Sequence, residues 1–171
     1  FLFLLTFSAI GHIAPQQLFS DVAVSLWRML ASFLIAVIAG WTFAVSFYHG
    51  RRAKVALPVF DILQSFPTFA ALPLVVYFWG ASSLTVIFFL VFTMIWPIFF
   101  SVVSSLKLMR HEWAEVVKIS NLRGWPYFRK FLLPVTVPSL ITGTVIGLGE
   151  GWEALVATEI IVAVKSGLGT F

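Results

Sequence analysis

The sequence has no cysteine, so disulfides, thiol nucleophiles and cysteine-ligated metals are excluded. Charge is nearly as scarce. Only 11% of the 171 residues are Asp, Glu, Lys or Arg, while 60% are hydrophobic; a soluble domain is about a quarter charged and about half apolar. The three histidines, His12, His49 and His111, lie far apart and offer no metal-ligand spacing. A G-x-x-x-x-G-K-[ST] run is absent, which removes P-loop binding of ATP. No nucleophile–base pair suggests an intramembrane enzyme, and no ten-residue alternation suggests a spanning β-barrel. Apolar surface is what the chain has in excess, and lipid is its natural solvent.

Four stretches reach the roughly 20 residues that a spanning helix needs. They are Trp27–Tyr48, Leu57–Trp79, Leu84–Leu106, and a run from Val135 to about Ala157. Pro58, Pro67, Pro73 and Pro97 lie inside them and are tolerable in membrane helices, where neighbours satisfy the freed carbonyls. The opening run FLFLLTFSAI has no basic segment before it, so it reads as the tail of an earlier span rather than a signal peptide. The expected class is all-α: a polytopic transmembrane helical bundle, a single domain over 1–171, truncated at both ends, with about five spans.

Basic residues set the orientation. Arg51, Arg52 and Lys54 fall in one connector, and Lys107, Arg110, Lys118, Arg123, Arg129 and Lys130 in another, nine of the eleven in the chain. The positive-inside rule makes segments 49–57 and 107–133 cytoplasmic. Two spans separate them, which agrees. Gly80–Ser83 and the regions around His12–Asp21 and Lys165–Gly169 then fall outside, with Trp27, Tyr48 and Trp79 at interfacial depth.

Segment 107–134 is the only long polar region. Trp113, Val116, Val117 and Ile119, then Phe128, Phe131 and Leu132, recur at helical spacing on either side of Asn121–Gly124. The pattern predicts two short amphipathic helices joined by a turn. Asn121 suits a left-handed backbone there, and Trp125-Pro126 suits the start of the second helix. Three readings arise: a hairpin lying on lipid headgroups, a DNA-binding helix-turn-helix, and a docking element for a partner's cleft. The second fails because both ends run straight into spans, leaving no supporting core.

This segment resembles the EAA loop of bacterial ABC-importer permeases. Glu115 takes the Glu position, Asn121 the glycine position and Leu133-Pro134 the closing pair, all in register; Val116-Val117 replaces Ala-Ala and Asn121 replaces glycine. SLWRM with Arg28, Gly50-Arg51, Pro58, Gln64 to Pro67, Pro73, Phe78-Trp79-Gly80, Trp152, Glu159 and Gly167-Leu168-Gly169 are similar to the nitrate/sulfonate/taurine-type branch. The resemblance implies a type I (MetI-like) permease fold, multi-pass in the inner (plasma) membrane, that is not itself an enzyme. It further implies that two copies form the pathway as a permease homodimer, supplied by an extracytoplasmic substrate-binding protein. It also implies ABC ATPase subunits that carry ATP and Mg, with no cofactor on this chain and no nucleic acid. Coupling falls to Glu115, Val116, Val117, Asn121, Leu122, Arg123, Gly124, Leu133 and Pro134. The alternative is a secondary transporter or channel without a motor, whose paired broken helices in repeated halves are not evident.

Within the spans, Gly143, Gly147 and Gly151 recur every fourth residue, a spacing that lets helix backbones approach closely. Glu150 and Glu153 share a face and are candidates to line the pathway, where two carboxylates would favour neutral or cationic substrates. Glu159 points elsewhere and is expected to pair with Arg28 or Lys165. Asp61 and Gln64, one turn apart, are a satisfied polar pair or a substrate contact.

Overall fold

A computed structural model describes residues 15–48, 50–109, 113, 115, 117 and 119–170. All regular structure among them is helical: α1 Pro15–Phe47, α2 Gly50–Ser65, α3 Thr68–Trp79, α4 Ser83–Lys107, α5 Gly124–Tyr127, a π segment Phe128–Leu132, α6 Leu133–Val162, and a 3-10 turn Leu168–Thr170. Three helices are long and apolar enough to cross a membrane, or four if α2 and α3 count as one broken span. The opening run FLFLLTFSAI, expected to be the tail of an earlier span, lies outside the described residues.

The boundaries correct the sequence reading in four places. First, α1 starts at Pro15 rather than near Trp27. Its polar first turns dilute the apolar signal without breaking a helix, and Pro15 suits a helix start. Second, Arg51, Arg52 and Lys54 are not in a connector but in the first turns of α2. The reversal before them uses Gly50, whose φ of 72° is open to a residue without a Cβ.

Third, Leu57–Trp79 is interrupted at Phe66-Pro67. Pro67 has no N–H to donate and pushes Phe66 out of the helical region, whereas Pro58 and Pro73 stay inside helices. Fourth, the second loop helix is not separate. It runs through the π segment into α6, giving one helical stretch from Gly124 to Val162.

Two compact units divide the chain. One contains residues 1–35, 67–93 and 150–171. Its core includes Met29, Leu72, Val86, Phe89, Leu90, Leu155 and Val162. Here α4 is capped by Ser82, whose hydroxyl accepts from the Thr85 N–H at 3.3 Å, satisfying an otherwise orphaned donor.

The other unit contains residues 36–66 and 94–149. Ala44, Ala53, Leu57, Phe99, Val102, Val103, Leu106 and Leu132 form its buried cluster. Phe60 sits edge-on to Phe99 at 5.0 Å and to Phe47 at 5.5 Å, geometries that favour aromatic pairs. Trp41 Nε1 donates to Thr136 Oγ1 at 3.0 Å. In the same unit Gly40 of α1 and Gly143 and Gly147 of α6 all press on α4 around Ile95–Ile98. Gly151 is buried.

Large apolar side chains also cover the outside. Ile38 is 68% exposed, Leu74 64% and Val145 64%. Such a surface suits contact with acyl chains rather than water.

Candidate functional site

Two constructions stand out, one in each unit. The first is the polar loop. Trp113, Glu115, Val117 and Ile119 are helical, and Asn121 has a φ of 49°. Asparagine tolerates this left-handed conformation better than most residues with a side chain. Arg123 is extended, Gly124 has a φ of 57°, and α5 begins. The chain therefore reverses over a few residues, as the turn residues predicted.

Glu115, Asn121, Arg123 and Gly124 are exposed, Leu122 and Val117 half-buried. Leu133 and Pro134 open α6 and are exposed. Val116 lies outside the described residues. Behind the turn, Trp125 stacks on Phe128 at 5.0 Å, and Phe128 meets Trp41 edge-on at 5.6 Å. Burial first, then a side-chain hydrogen bond with Tyr127 that favours the neutral form, pushes the Tyr48 phenol up to about 12. A cavity of about 270 Å³ lies between Trp113 and the residues Lys130, Phe131, Pro134 and Val135. Aromatic packing thus holds the base of the loop while its polar tip stays accessible.

The second construction is a buried polar cluster. Arg28 of α1 pairs with Glu159 of α6 at 2.6 Å, with side chains 3% and 0% exposed. Arg28 also donates to Ser83 Oγ through Nε and Nη2, at 3.2 and 2.9 Å, and to the Ser166 carbonyl at 2.7 Å. The Ser25 hydroxyl lies 2.8 Å from both Glu159 oxygens.

The backbone after α6 closes over this pair. Gly167 N–H donates to Asp21 Oδ1 at 3.1 Å, Leu168 N–H to Ser25 Oγ at 2.9 Å, and Gly169 N–H to Glu159 Oε2 at 3.1 Å. A Cβ on Gly167 or Gly169 would stand 2.6 Å from Glu159 atoms. Both glycines are therefore needed for the backbone to approach the carboxylate. Of the two cations considered for Glu159, Arg28 is the partner, and Lys165 is exposed. Sequence reasoning missed Asp21, Ser25 and Ser83. The three-residue spacing of Ser25 and Arg28 on one helix face was the available signal.

The other candidates separate. Asp61 and Gln64 are exposed on α2 and bonded to each other at 3.2 Å. Glu150 and Glu153 are exposed on α6 and belong to the other unit. Among the described residues no three His, Asp or Glu side chains group as a metal site would.

Comparison with known proteins agrees with this architecture. The profile of the family described as binding-protein-dependent transport system inner membrane component matches residues 32–171. The nitrate import permease protein NrtB of Leptolyngbya laminosa is 33% identical over 162 residues, covering 94% of this chain and 58% of that protein. The bicarbonate transport system permease protein CmpB of Synechococcus elongatus is 26% identical over 157 residues, covering 91% and 56%. The taurine transport system permease protein TauC of Escherichia coli strain K12 is 26% identical over 167 residues, covering 97% and 60%. The chain thus spans less than two thirds of the length of these curated relatives. With most of its length matched by the family profile, the chain belongs to the family of binding-protein-dependent transport system inner membrane components.

Proposed function

We propose that this chain is part of a permease subunit of an ATP-driven importer, multi-pass in the inner membrane. It forms the translocation pathway as a homodimer and is supplied by an extracytoplasmic binding protein. The observation that carries the coupling half of this reading is the exposed turn at Asn121, backed by the aromatic packing of Trp125, Phe128 and Trp41. A rigid base with an accessible polar tip is what a docking element requires. Glu115, Val116, Val117, Asn121, Leu122, Arg123, Gly124, Leu133 and Pro134 engage the ATPase, which binds ATP and Mg and hydrolyses the nucleotide. Closure of the ATPase subunits moves the loops and rocks the helices, an alternating-access step. The relatives are named for nitrate, bicarbonate and taurine, so small oxygen-rich solutes are the first substrates to test.

Reversing the charge at Glu115 is the direct test. Glu115→Lys in the full-length protein is expected to weaken co-purification with the ATPase and to lower substrate-stimulated ATP hydrolysis in proteoliposomes by about tenfold or more. Unchanged hydrolysis and unchanged co-purification would remove the loop from the coupling mechanism.

Glu150 and Glu153 are proposed as pathway residues, with Asp61 and Gln64 as a second polar pair on the path. Two carboxylates near an entering anion oppose it, so Glu150→Gln and Glu153→Gln are expected to change the uptake rate of anions more than that of a zwitterion. Uptake rates of both solutes unchanged by the two substitutions would make the pair merely interfacial.

A further inference from the structure

Beyond the transport reading lies a groove at the junction of α1 and α2. Phe47, the last residue of α1, faces Arg51, Arg52, Val55 and Ala56 of α2 across a cavity of about 580 Å³. Arg51 and Val55 are four residues apart, as are Arg52 and Ala56, so each arginine stands one turn before an apolar residue on the same side of α2. The groove therefore has a cationic end and an apolar end.

Among the described residues nothing neutralises the cationic end. Among the described residues neither Arg51 nor Arg52 forms an ion pair or hydrogen bond, and both are exposed. The first turn of α2 has no acidic residue, and the one carboxylate further along, Asp61, is bonded to Gln64. The positive end of the 16-residue α2 adds to the same field. At the apolar end Val55 is 68% exposed. Depth fits as well. The arginines follow directly after a helix long and apolar enough to span, at the level where headgroups meet acyl chains.

We infer that this groove binds an anionic phospholipid from the cytoplasmic leaflet. Its phosphate is held by the guanidinium groups of Arg51 and Arg52, whose planar donors match phosphate oxygens. One acyl chain lies along Phe47, Val55 and Ala56. Charge complementarity selects the headgroup and the apolar wall selects a lipid over a free anion, while basic clusters beside a span are suited to such lipids. No step of transport is assumed.

The test uses the full-length protein in detergent, titrated with phosphatidylglycerol or phosphatidylcholine and read by native mass spectrometry. Phosphatidylglycerol is expected to bind about tenfold or more tightly than phosphatidylcholine. The Arg51→Gln/Arg52→Gln variant loses that preference, while Arg51→Lys/Arg52→Lys keeps part of it. Val55→Glu, with both arginines intact, also weakens binding. A helical circular dichroism spectrum equal to wild type shows that each variant is folded. Equal binding of the two lipids, or full retention by the glutamine variant, overturns the proposal. So does displacement by millimolar inorganic phosphate, which marks a free-anion site, or by added ATPase subunits, which marks a protein interface.

Discussion

Replacing Arg28 with alanine lowers the unfolding free energy by about 3–5 kcal/mol, the usual cost of removing one partner from a buried ion pair. Glu159 is fully buried and accepts from Arg28, Ser25 and the Gly169 N–H. Without the guanidinium its charge has no counter-ion, and Ser83 and the Ser166 carbonyl lose their donor. Arg28→Lys recovers only part of the loss, because one ammonium cannot reproduce a fork that spans Glu159, Ser83 and Ser166. The double variant Arg28→Ala/Glu159→Ala is less destabilised than the two single changes summed, since neither charge is left stranded. Thermal unfolding of the full-length protein in detergent, followed by circular dichroism, measures all four. An Arg28→Ala midpoint equal to wild type would mean that the buried pair contributes nothing to stability.

Gly143→Val is the second large effect, expected at about 1–3 kcal/mol or above from overpacking. A Cβ at this position would stand 2.8 Å from Ile98 Cα and 2.9 Å from the Pro97 carbonyl oxygen. These are backbone atoms of a packed helix and cannot rotate away. Gly147 is less crowded, with the Met94 carbonyl at 3.2 Å, and Gly149 has nothing within 4 Å. The same substitution should therefore cost most at Gly143, less at Gly147 and least at Gly149. Denaturation midpoints of the three variants give the ranking, and an equal loss at all three would mean that helix propensity rather than packing is measured.

Much of this was legible in the sequence because lipid imposes a strong pattern. Long apolar runs without a ten-residue alternation point to the all-helical class, and Ser83–Lys107 lies within a residue of the predicted span at each end. Helix ends are less legible where polar residues resemble a break. Arg51, Arg52 and Lys54 are compatible with a helix, and Gly50 before them takes the left-handed φ of 72°. At Phe66-Pro67 the reverse holds: hydropathy runs on while the backbone stops.

Of the buried cluster, the charges Arg28 and Glu159 were visible because ions at membrane depth are rare. Asp21, Ser25 and Ser83 were not, since small polar residues occur widely and only the fold brings them onto one carboxylate. The backbone donors of Gly167, Leu168 and Gly169 carry no side-chain signal. Asn121 was the opposite case, since its left-handed preference is a property of the residue itself.

The π segment at Phe128–Leu132 has a consequence of phase. A π turn holds one residue more than an α turn, and one residue is about 100° of rotation around a helix axis. Residues 124–127 and the start of α6 are therefore out of step, although they share one continuous helical stretch. Trp125 meets Phe128 on one side of that offset, and Gly143 keeps its contact with α4 on the other. Shortening the segment by a single residue would turn the loop's tip about its own axis by that angle while the span kept its grip.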